Sequence, residues 1–259
     1  MKKTESFPQN QEQTVELIPS VDVLAIIGHS IEHDKERGWI PTRFIQKLDT
    51  HGKRTGVRES TLDPDDDSAY VGGGNAVATA AAEMYHFLAK RGELPKAVSV
   101  VSGRPLYLEQ APPDVNEGSV MLEAFKRKAK WQPESKGELI TLGTARNTAQ
   151  ELEQHLRMCV ERGYTKIGFV LLDLRIERAR ALLNRLQTAH PEFSAVETSL
   201  ISAETLLRHR YEEHPARLAE FEGTLRAFTS SKAHVKTVKD EQGGTQALKQ
   251  DTYKGTGNY

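Results

Sequence analysis

The chain has 259 residues, 37% of them hydrophobic, which is enough for a sizeable core in one large domain or two small ones. Its 35 Lys and Arg residues against 36 Asp and Glu residues give a formal net charge of -1, so the positive surplus that general nucleic-acid binding needs is missing. The longest apolar stretches, 23–27 and 167–172, are far shorter than the roughly 20 residues of a membrane-spanning helix, which argues against a membrane protein.

The N-terminal residues and the cysteine content bear on the compartment. Residues 1–20 are polar with scattered charges and lack the apolar core of a secretory signal, so we predict a flexible lead and no export signal. The one cysteine, Cys159, can form neither an internal disulfide nor a thiolate metal cluster. Together these features predict a cytoplasmic protein.

The first predicted elements are a strand, a long irregular loop and a helix. Residues 21–27 are short, apolar and rich in β-branched side chains, and Gly28 ends the strand that they predict. Residues 29–71 are charged and irregular, which predicts an elaborated loop. Residues 72–74 are three glycines that lead into a strongly helical stretch with Asn75 as its cap. Their backbone N–H groups would suit a phosphate, although a simple turn before a capped helix explains the same residues.

The pattern of strand, turn and helix then recurs along the chain. Strands are predicted at 97–101, 138–142, 166–172 and 193–201, and helices near 117–130, 148–162 and 176–188. Strands that alternate with helices of this length need crossover connections, which favour a parallel sheet covered on both faces. We therefore predict the α/β class, with a three-layer Rossmann-like parallel sheet, helices on both of its faces and an extra C-terminal helical segment.

The C-terminal helical segment is predicted from apolar residues at helical spacing. One or two helices would bury the stripe Leu206, Leu207, Leu218, Phe221, Leu225 and Phe228. Residues 230–259 are rich in Lys, Gly and Gln and lack a periodic apolar face, which predicts a mobile polar tail. One domain over residues 21–229 is thus expected between the lead and the tail.

Four loops follow predicted strands, and open parallel sheets bind their ligands at such loops. The loops contain Gly28, His29 and Ser30; Ser102, Gly103 and Arg104; Arg146, Asn147 and Thr148; and Arg175 with Arg178. Small residues admit a ligand close to the backbone, and guanidinium groups suit phosphate or carboxylate. These residues predict a site for a small anionic ligand. The simpler interpretation is that each loop only caps the next helix, for which Asn147 or Thr148 would suffice.

The stretch His29-Ser30-Ile31-Glu32-His33 matches the H-x-x-E-H pattern of a group of zinc peptidases. That chemistry needs a helix that places two histidines one turn apart, beside a general base. Here the first histidine follows a predicted strand, so an ordinary strand-end loop explains the pattern without metal. We expect no metal site and keep the zinc hydrolase built on His29, Glu32 and His33 as the least favoured hypothesis.

The order of these loops carries a resemblance to a known family. The chain has Val100-Val101-Ser102-Gly103-Arg104, Asn116-Glu117-Gly118, Ala145-Arg146-Asn147-Thr148-Ala149-Gln150-Glu151 and Leu171-Leu172-Asp173-Leu174-Arg175-Ile176-Glu177-Arg178-Ala179. Over residues 21–201 this order resembles the SanA/ElyC/YdcF domain family, in which Ser-Gly-Gly, Ser-x-Glu-Ala, Ser-x-Asn-Thr-x-Glu-Asn and Thr-Ser-x-Tyr-His-x-x-Arg-Ala stand at these places. The resemblance implies a Rossmann-like fold and, as in soluble members, a nucleotide-type ligand such as S-adenosylmethionine. It also implies that Ser102, Gly103, Glu117, Asn147, Thr148 and Arg178 belong to the site.

The departures from the family pattern concern its chemistry. The chain replaces a glycine by Arg104, a serine by Ala145, a glutamate by Gln150, a histidine by Arg175 and a Thr-Ser pair by Leu171 and Leu172. An arginine stays protonated near neutral pH and cannot act as a base, so the proton-transfer role of that histidine is not carried over. Glu117 is then the candidate for acid–base work.

The leading hypothesis is a cytoplasmic Rossmann-like protein that binds a small anionic or nucleotide-like ligand, S-adenosylmethionine-like or phosphate-bearing. It would act as a transferase or hydrolase, with Glu117 catalytic and Arg175 and Arg178 holding the anion. The alternative is a non-catalytic regulatory or interaction protein on the same fold, which Arg175 and Ala145 at family positions favour. No motif indicates an oligomeric state.

Overall fold

A computed structural model of the chain describes residues 18–28, 30–47, 69–103, 112, 115–132, 134 and 137–250. The strands among them are β1 (Val23–Ile26), β2 (Ile31–Asp34), β3 (Gly38–Pro41), β4 (Ile45–Lys47), β5 (Ala69–Val71), β6 (Ala97–Ser102), β7 (Glu138–Thr144), β8 (Lys166–Leu171) and β9 (Glu197–Ser202). The α-helices are α1 (Gly74–Lys90), α2 (Glu117–Ala129), α3 (Thr148–Arg162), α4 (Asp173–Ala189), α5 (Ala203–Tyr211), α6 (Pro215–Ser230) and α7 (Lys232–Lys249). A short 3-10 helix, Pro191–Ala195, precedes β9.

Five strands form one parallel sheet in the order β7-β6-β1-β8-β9. All four residues of the central strand β1 are buried, as expected for a strand covered on both faces. Leu24 and Ile26 pack in the core with α1, α2 and α5, whereas Val23 and Ala25 pack in the core with α3 and α4. The predicted three-layer Rossmann-like α/β fold is therefore confirmed, and its strands lie close to the predicted positions.

Two pairs of short antiparallel strands lie within residues 29–71, where an irregular loop was predicted, although residues 29 and 48–68 lie outside the described part of the chain. Strands β2 and β3 pair with each other, and so do β4 and β5. The turn before β3 ends at Gly38, whose φ of 71° is in the left-handed region that favours glycine. These strands were not predicted because they are only three or four residues long, which is too short for a clear pattern. Their burial also comes from contacts with distant helices, namely α1, α2 and α7.

The glycines before α1 serve close packing and do not present a phosphate-binding loop. The backbone N–H groups of Gly72 and Gly73 donate to the carbonyl oxygens of Phe44 and Arg43, at 2.7 and 2.6 Å. The N–H of Gly74 donates to Thr42 Oγ1 at 3.2 Å. Since these amides are already used, the anion interpretation of the three glycines is wrong. The predicted cap is wrong too, because the N-cap of α1 is Gly73 and Asn75 lies inside the helix.

The predicted polar tail is wrong over most of its length, because Lys232–Lys249 form α7. This helix packs against α4, α6 and β5. Its buried residues are Ala233, Thr237, Glu241 and Leu248, so the buried face is small and polar. Apolar periodicity does not reveal such a face, because its residues are buried only by the side chains of the elements packed against it. The C-terminal helical segment therefore extends beyond the predicted end of the domain at residue 229.

None of the helices in the described part of the chain combines the length and the apolar character that crossing a bilayer requires.

Candidate functional site

The candidate site lies at the carboxyl edge of the sheet, where β1 stands between β6 and β8. The connections after β1 and β6 place α1 and α2 on one face, whereas α3 and α4 lie on the other. Chain segments diverge at such a switch point and leave a crevice outside the strand ends, which is where open α/β sheets bind ligands. The loop that enters this crevice from β1 begins at Gly28 and reaches Ser30.

Two carboxyl groups from different helices converge on this loop. The N–H of Ser30 donates to Glu117 Oε1, and the N–H of Gly28 donates to Glu151 Oε1 at 2.7 Å. A Cβ atom at position 28 would lie 3.0 Å from Glu117 Oε1 and 3.4 Å from Glu151 Oε1. Glycine at position 28 is therefore what lets both carboxyl groups approach the same stretch of backbone.

Glu117 is placed by the start of α2. Asn116 is the N-cap, and its Oδ1 accepts a hydrogen bond of 2.7 Å from the N–H of Ser119. The N–H of Glu117 donates to the carbonyl oxygen of Gly103 at 2.8 Å, which joins the helix to the end of β6. Glu117 is half-buried, so part of its surface stays open to solvent.

Glu151 lies in the first turn of α3 and was not predicted as a site residue. Asn147 caps this helix, with its Oδ1 accepting from the N–H of Gln150 at 3.0 Å. Burial raises the pKa of Glu151 to about 8, against the opposing effect of the hydrogen bond from Gly28. The nearby Glu117 adds to the rise and the charge of Arg175 opposes it. A pKa of about 8 favours the protonated form of Glu151 near neutral pH.

The sequence does contain a sign of Glu151. It shares a helix face with Leu152, His155, Leu156 and Cys159, all of which are buried. A lone carboxyl residue on an otherwise apolar face is unusual, because burying its charge is costly. The family pattern instead has a glutamate at position 150. In this chain that residue is Gln150, whose Oε1 accepts a hydrogen bond from the N–H of Arg146.

Arg175 and Arg178, predicted as anion-holding residues, lie beside α7. Arg178 Nη1 is 3.4 Å from Glu241 Oε2, and Arg175 Nε is 4.0 Å from Glu241 Oε1. All three side chains are at least 87% buried. Arg175 is also close enough to Glu151 to oppose the rise in its pKa. The two arginines therefore face a carboxylate of the chain itself, which no local sequence pattern could indicate because Glu241 is 63 residues away from Arg178.

The other predicted site residues that the structure describes lie at the same edge of the sheet. Gly103 lies after β6, where an added Cβ would be 3.3 Å from the carbonyl oxygen of Ala145. Arg146 is exposed and Thr148 opens α3. Ser102 ends β6. The predictions for His29 and Arg104 lie outside the described residues.

A further carboxyl group lies at the end of β9. The N–H of Asp173, the first residue of α4, donates to Glu204 Oε2 at 3.0 Å. Burial raises the pKa of Glu204 to about 7, and the charge of Asp173 adds to the rise. Glu151 and Glu204, which both accept hydrogen bonds from backbone N–H groups just after parallel strands, thus have pKa values raised by burial towards neutral pH. Such shifts are often found where proton transfer occurs.

The zinc-hydrolase hypothesis requires a helix that the structure replaces with strand β2. In this strand Glu32 is buried and His33 is exposed, so the two side chains lie on opposite sides of the backbone. In the part of the chain that the structure describes, no group of three His, Cys, Asp or Glu side chains is placed to hold a metal ion. The geometry that H-x-x-E-H needs is therefore missing over residues 31–34.

His155, one turn after Glu151, makes a testable contribution to stability. Its ring is fully buried, stands edge-on to Phe169 and bonds the carbonyl oxygen of Glu151 at 2.8 Å. Burial lowers its pKa to about 4. Between pH 6.5 and 4 the unfolded chain therefore binds a proton that the folded protein excludes, so this stability is lost as the pH falls through that window.

We expect His155→Leu to remove that pH dependence. Relative to the variant, the wild type should lose about 2 kcal/mol of unfolding free energy between pH 7 and pH 5. Urea unfolding of both proteins at the two pH values measures the difference. An equal pH dependence in the two proteins would contradict the buried neutral state of the ring.

Comparisons of the chain with protein-family models, with curated proteins and with solved structures found no match.

Proposed function

We propose that this cytoplasmic protein binds a small anionic or nucleotide-like ligand in the crevice between β1 and β8 and acts on it as a hydrolase or transferase. S-adenosylmethionine-like and phosphate-bearing compounds are the ligand classes to which the resemblance to the SanA/ElyC/YdcF domain family points. The proposal extends that resemblance to the residues of the crevice.

One observation carries the proposal, namely the convergence of Glu117 and Glu151 on the loop from Gly28 to Ser30. Two carboxyl groups whose environments differ can take different protonation states at the same pH. A protonated Glu151 would donate its proton to a leaving group. Glu117 would accept a proton from an attacking water or hydroxyl group. Proton transfers of this kind contribute about 10²- to 10⁴-fold to a reaction rate.

The first experiment identifies a ligand. Native mass spectrometry of the purified protein, with a thermal-shift screen of S-adenosylmethionine, nucleotides and sugar phosphates, tests the ligand classes named above. A ligand present at 100 times its Kd stabilises the folded protein by about 2.7 kcal/mol, which raises the melting temperature measurably. No stabilisation by any compound at millimolar concentration would count against the proposal.

Glu117→Gln tests the acid–base role once a reaction is found. The amide keeps the size of the side chain and its acceptor oxygen for the N–H of Ser30, so the fold and ligand binding should survive. We expect kcat to fall by about 10²-fold or more. Glu123→Gln is the matched control, because Glu123 is exposed on the same helix and pairs only with Lys126 at 2.7 Å. Equal losses in the two variants would contradict the assignment.

A second candidate function is a non-catalytic regulatory or interaction protein. The specific observation in its favour is that both carboxyl groups accept hydrogen bonds from backbone N–H groups, a purely structural use. In that case Glu117→Gln would leave the cellular role intact, whereas changes on the exposed faces of α5 and α6 would remove it. Pull-down experiments with both sets of variants distinguish the two functions.

A further inference from the structure

The charged residues between α4 and α7 form a buried cluster that we call the arginine–glutamate cluster: Arg175, Arg178 and Glu241. Their side chains are 13%, 6% and 7% exposed. Arg175 and Arg178 project from the first two turns of α4, directly after β8, and Glu241 comes from the middle of α7. The cluster therefore borders the crevice that β1 and β8 define.

Glu241 fits the arginines loosely. Its carboxylate oxygens are 3.4 Å from Arg178 Nη1 and 4.0 Å from Arg175 Nε, whereas a charge-assisted N–H to carboxylate hydrogen bond is about 2.7–2.9 Å long. Arg175 Nε, although buried, has no hydrogen-bond partner within the described residues. An oxyanion that reached both guanidinium groups at hydrogen-bond distance would hold them better than the carboxylate of Glu241 does.

The helix that carries Glu241 is weakly built. Gly243 and Gly244 stand in its interior, and glycine is the least favourable helix residue after proline. A Cβ at position 244 would lie 3.3 Å from Arg178 Nε, so Gly244 serves the packing of that arginine. A Cβ added at position 243 would have no atom within 4 Å, so no close packing there requires glycine. Little apolar burial holds this part of α7 in place, because Glu241 and Leu248 are its buried residues beyond Thr237.

We propose that Glu241 is an internal anion that occupies an anion-binding site formed by Arg175 and Arg178. A phosphate or carboxylate group of a ligand competes with Glu241 for these arginines and, by displacing it, loosens α7. The inference rests on the proposed function for the location of the site. It goes further by naming the groups that bind the anion and the residue that blocks them.

Phosphate titration of Glu241→Gln tests the inference without any substrate. The amide removes the negative charge of Glu241 and keeps the shape of its side chain, so an added anion no longer competes with that charge for Arg175 and Arg178. In thermal-shift and calorimetric titrations at constant ionic strength, we expect saturable stabilisation by inorganic phosphate. Its half-maximal concentration should be at least about tenfold lower than in the wild type. Adding Arg175→Gln to this variant should abolish the effect. Glu153→Gln, which removes a partly exposed carboxylate on α3, is the control and should behave as the wild type does.

A second variant keeps the test decisive if Glu241→Gln is poorly folded. Gly243→Ala strengthens α7 without a new contact, so it should hold Glu241 in place and raise the phosphate concentration needed in the wild-type background. The inference is overturned if Glu241→Gln folds but shows no saturable phosphate binding, if binding survives Arg175→Gln, or if Gly243→Ala leaves phosphate binding unchanged.

The two proposals fail in different ways. A ligand and a Glu117-dependent reaction without phosphate binding by Glu241→Gln would remove only the internal-anion inference. Phosphate binding by that variant, with no ligand and no reaction in the wild type, would remove only the proposed function.

Discussion

Replacing Glu151 with glutamine should make the protein more stable at alkaline pH by about 4 kcal/mol and change little at pH 5. The folded-state pKa of Glu151 is raised from 4.5 to about 8. Between these values the folded protein binds a proton that the unfolded chain has lost, so the wild type loses stability as the pH rises through the window. Glutamine has no proton to lose, and its Oε1 can still accept the hydrogen bond from Gly28. Urea unfolding of both proteins at pH 5 and pH 8.5 gives the difference.

Glu153→Gln is the control for this experiment. Glu153 lies two residues away on α3, is partly exposed and pairs with Arg157 at 2.8 Å. Exposed pairs of this kind contribute about 0–1 kcal/mol, so the control should shift stability little at either pH. If Glu151→Gln were less stable than the wild type at pH 8.5, the carboxylate would be held in its charged form, with Arg175 as the stabilising partner. The role of Glu151 as a proton donor would then be wrong.

Gly74→Ala should destabilise the protein by roughly 2–4 kcal/mol, although alanine is the better helix former. A Cβ at position 74 would lie 2.6 Å from the carbonyl oxygen of Ser30 and 3.2 Å from Pro41 Cβ. The first contact is with backbone, which can move only if the loop at Gly28 and Ser30 moves with it. The same substitution should therefore displace the backbone on which the proposed ligand site depends.

The matched control is Gly243→Ala, the same substitution at a helix position with open space around it. It should stabilise the protein by about 0.5–1 kcal/mol, because it improves helix propensity alone. Denaturant unfolding of the two variants and the wild type measures both effects. A Gly74→Ala protein as stable as the wild type would mean that the start of α1 and the Ser30 loop are not in tight contact.

Much of the fold was predictable from local patterns. The parallel strands are short runs of buried β-branched and apolar residues ended by glycine or by helix caps, as in β1 and β8. Helix α3 covers the predicted range 148–162, because the Asn147 cap before it and the left-handed Gly163 after it act locally. Pro215 likewise starts α6. In each case the residue that starts or ends the element is adjacent to it in the sequence.

The meeting of the strand-end loops at one edge of the sheet could be predicted, but the contacts between those loops could not. Parallel strands bring their carboxyl ends to one edge, so the loops after β1, β6, β7 and β8 were expected to meet there. The partners inside the crevice were not predictable. The Gly28 N–H and the Glu151 carboxyl are 123 residues apart in the chain, and Ser30 and Glu117 are 87 apart. No periodicity connects residues at such separations.

The sequence by itself determined the α/β class and the parallel order of strand and helix, because period and caps are local properties. Glu117 became the candidate acid–base residue only through the resemblance to the family pattern. Only the tertiary structure decided that Glu151 joins Glu117 and that Glu241 faces Arg175 and Arg178. It also decided that the glycine run before α1 serves packing and that α7 is a helix. The physical reason is the same throughout. Burial and electrostatic partnership depend on which distant surfaces meet, and a polar residue becomes a buried acid or one member of an ion pair only when they do.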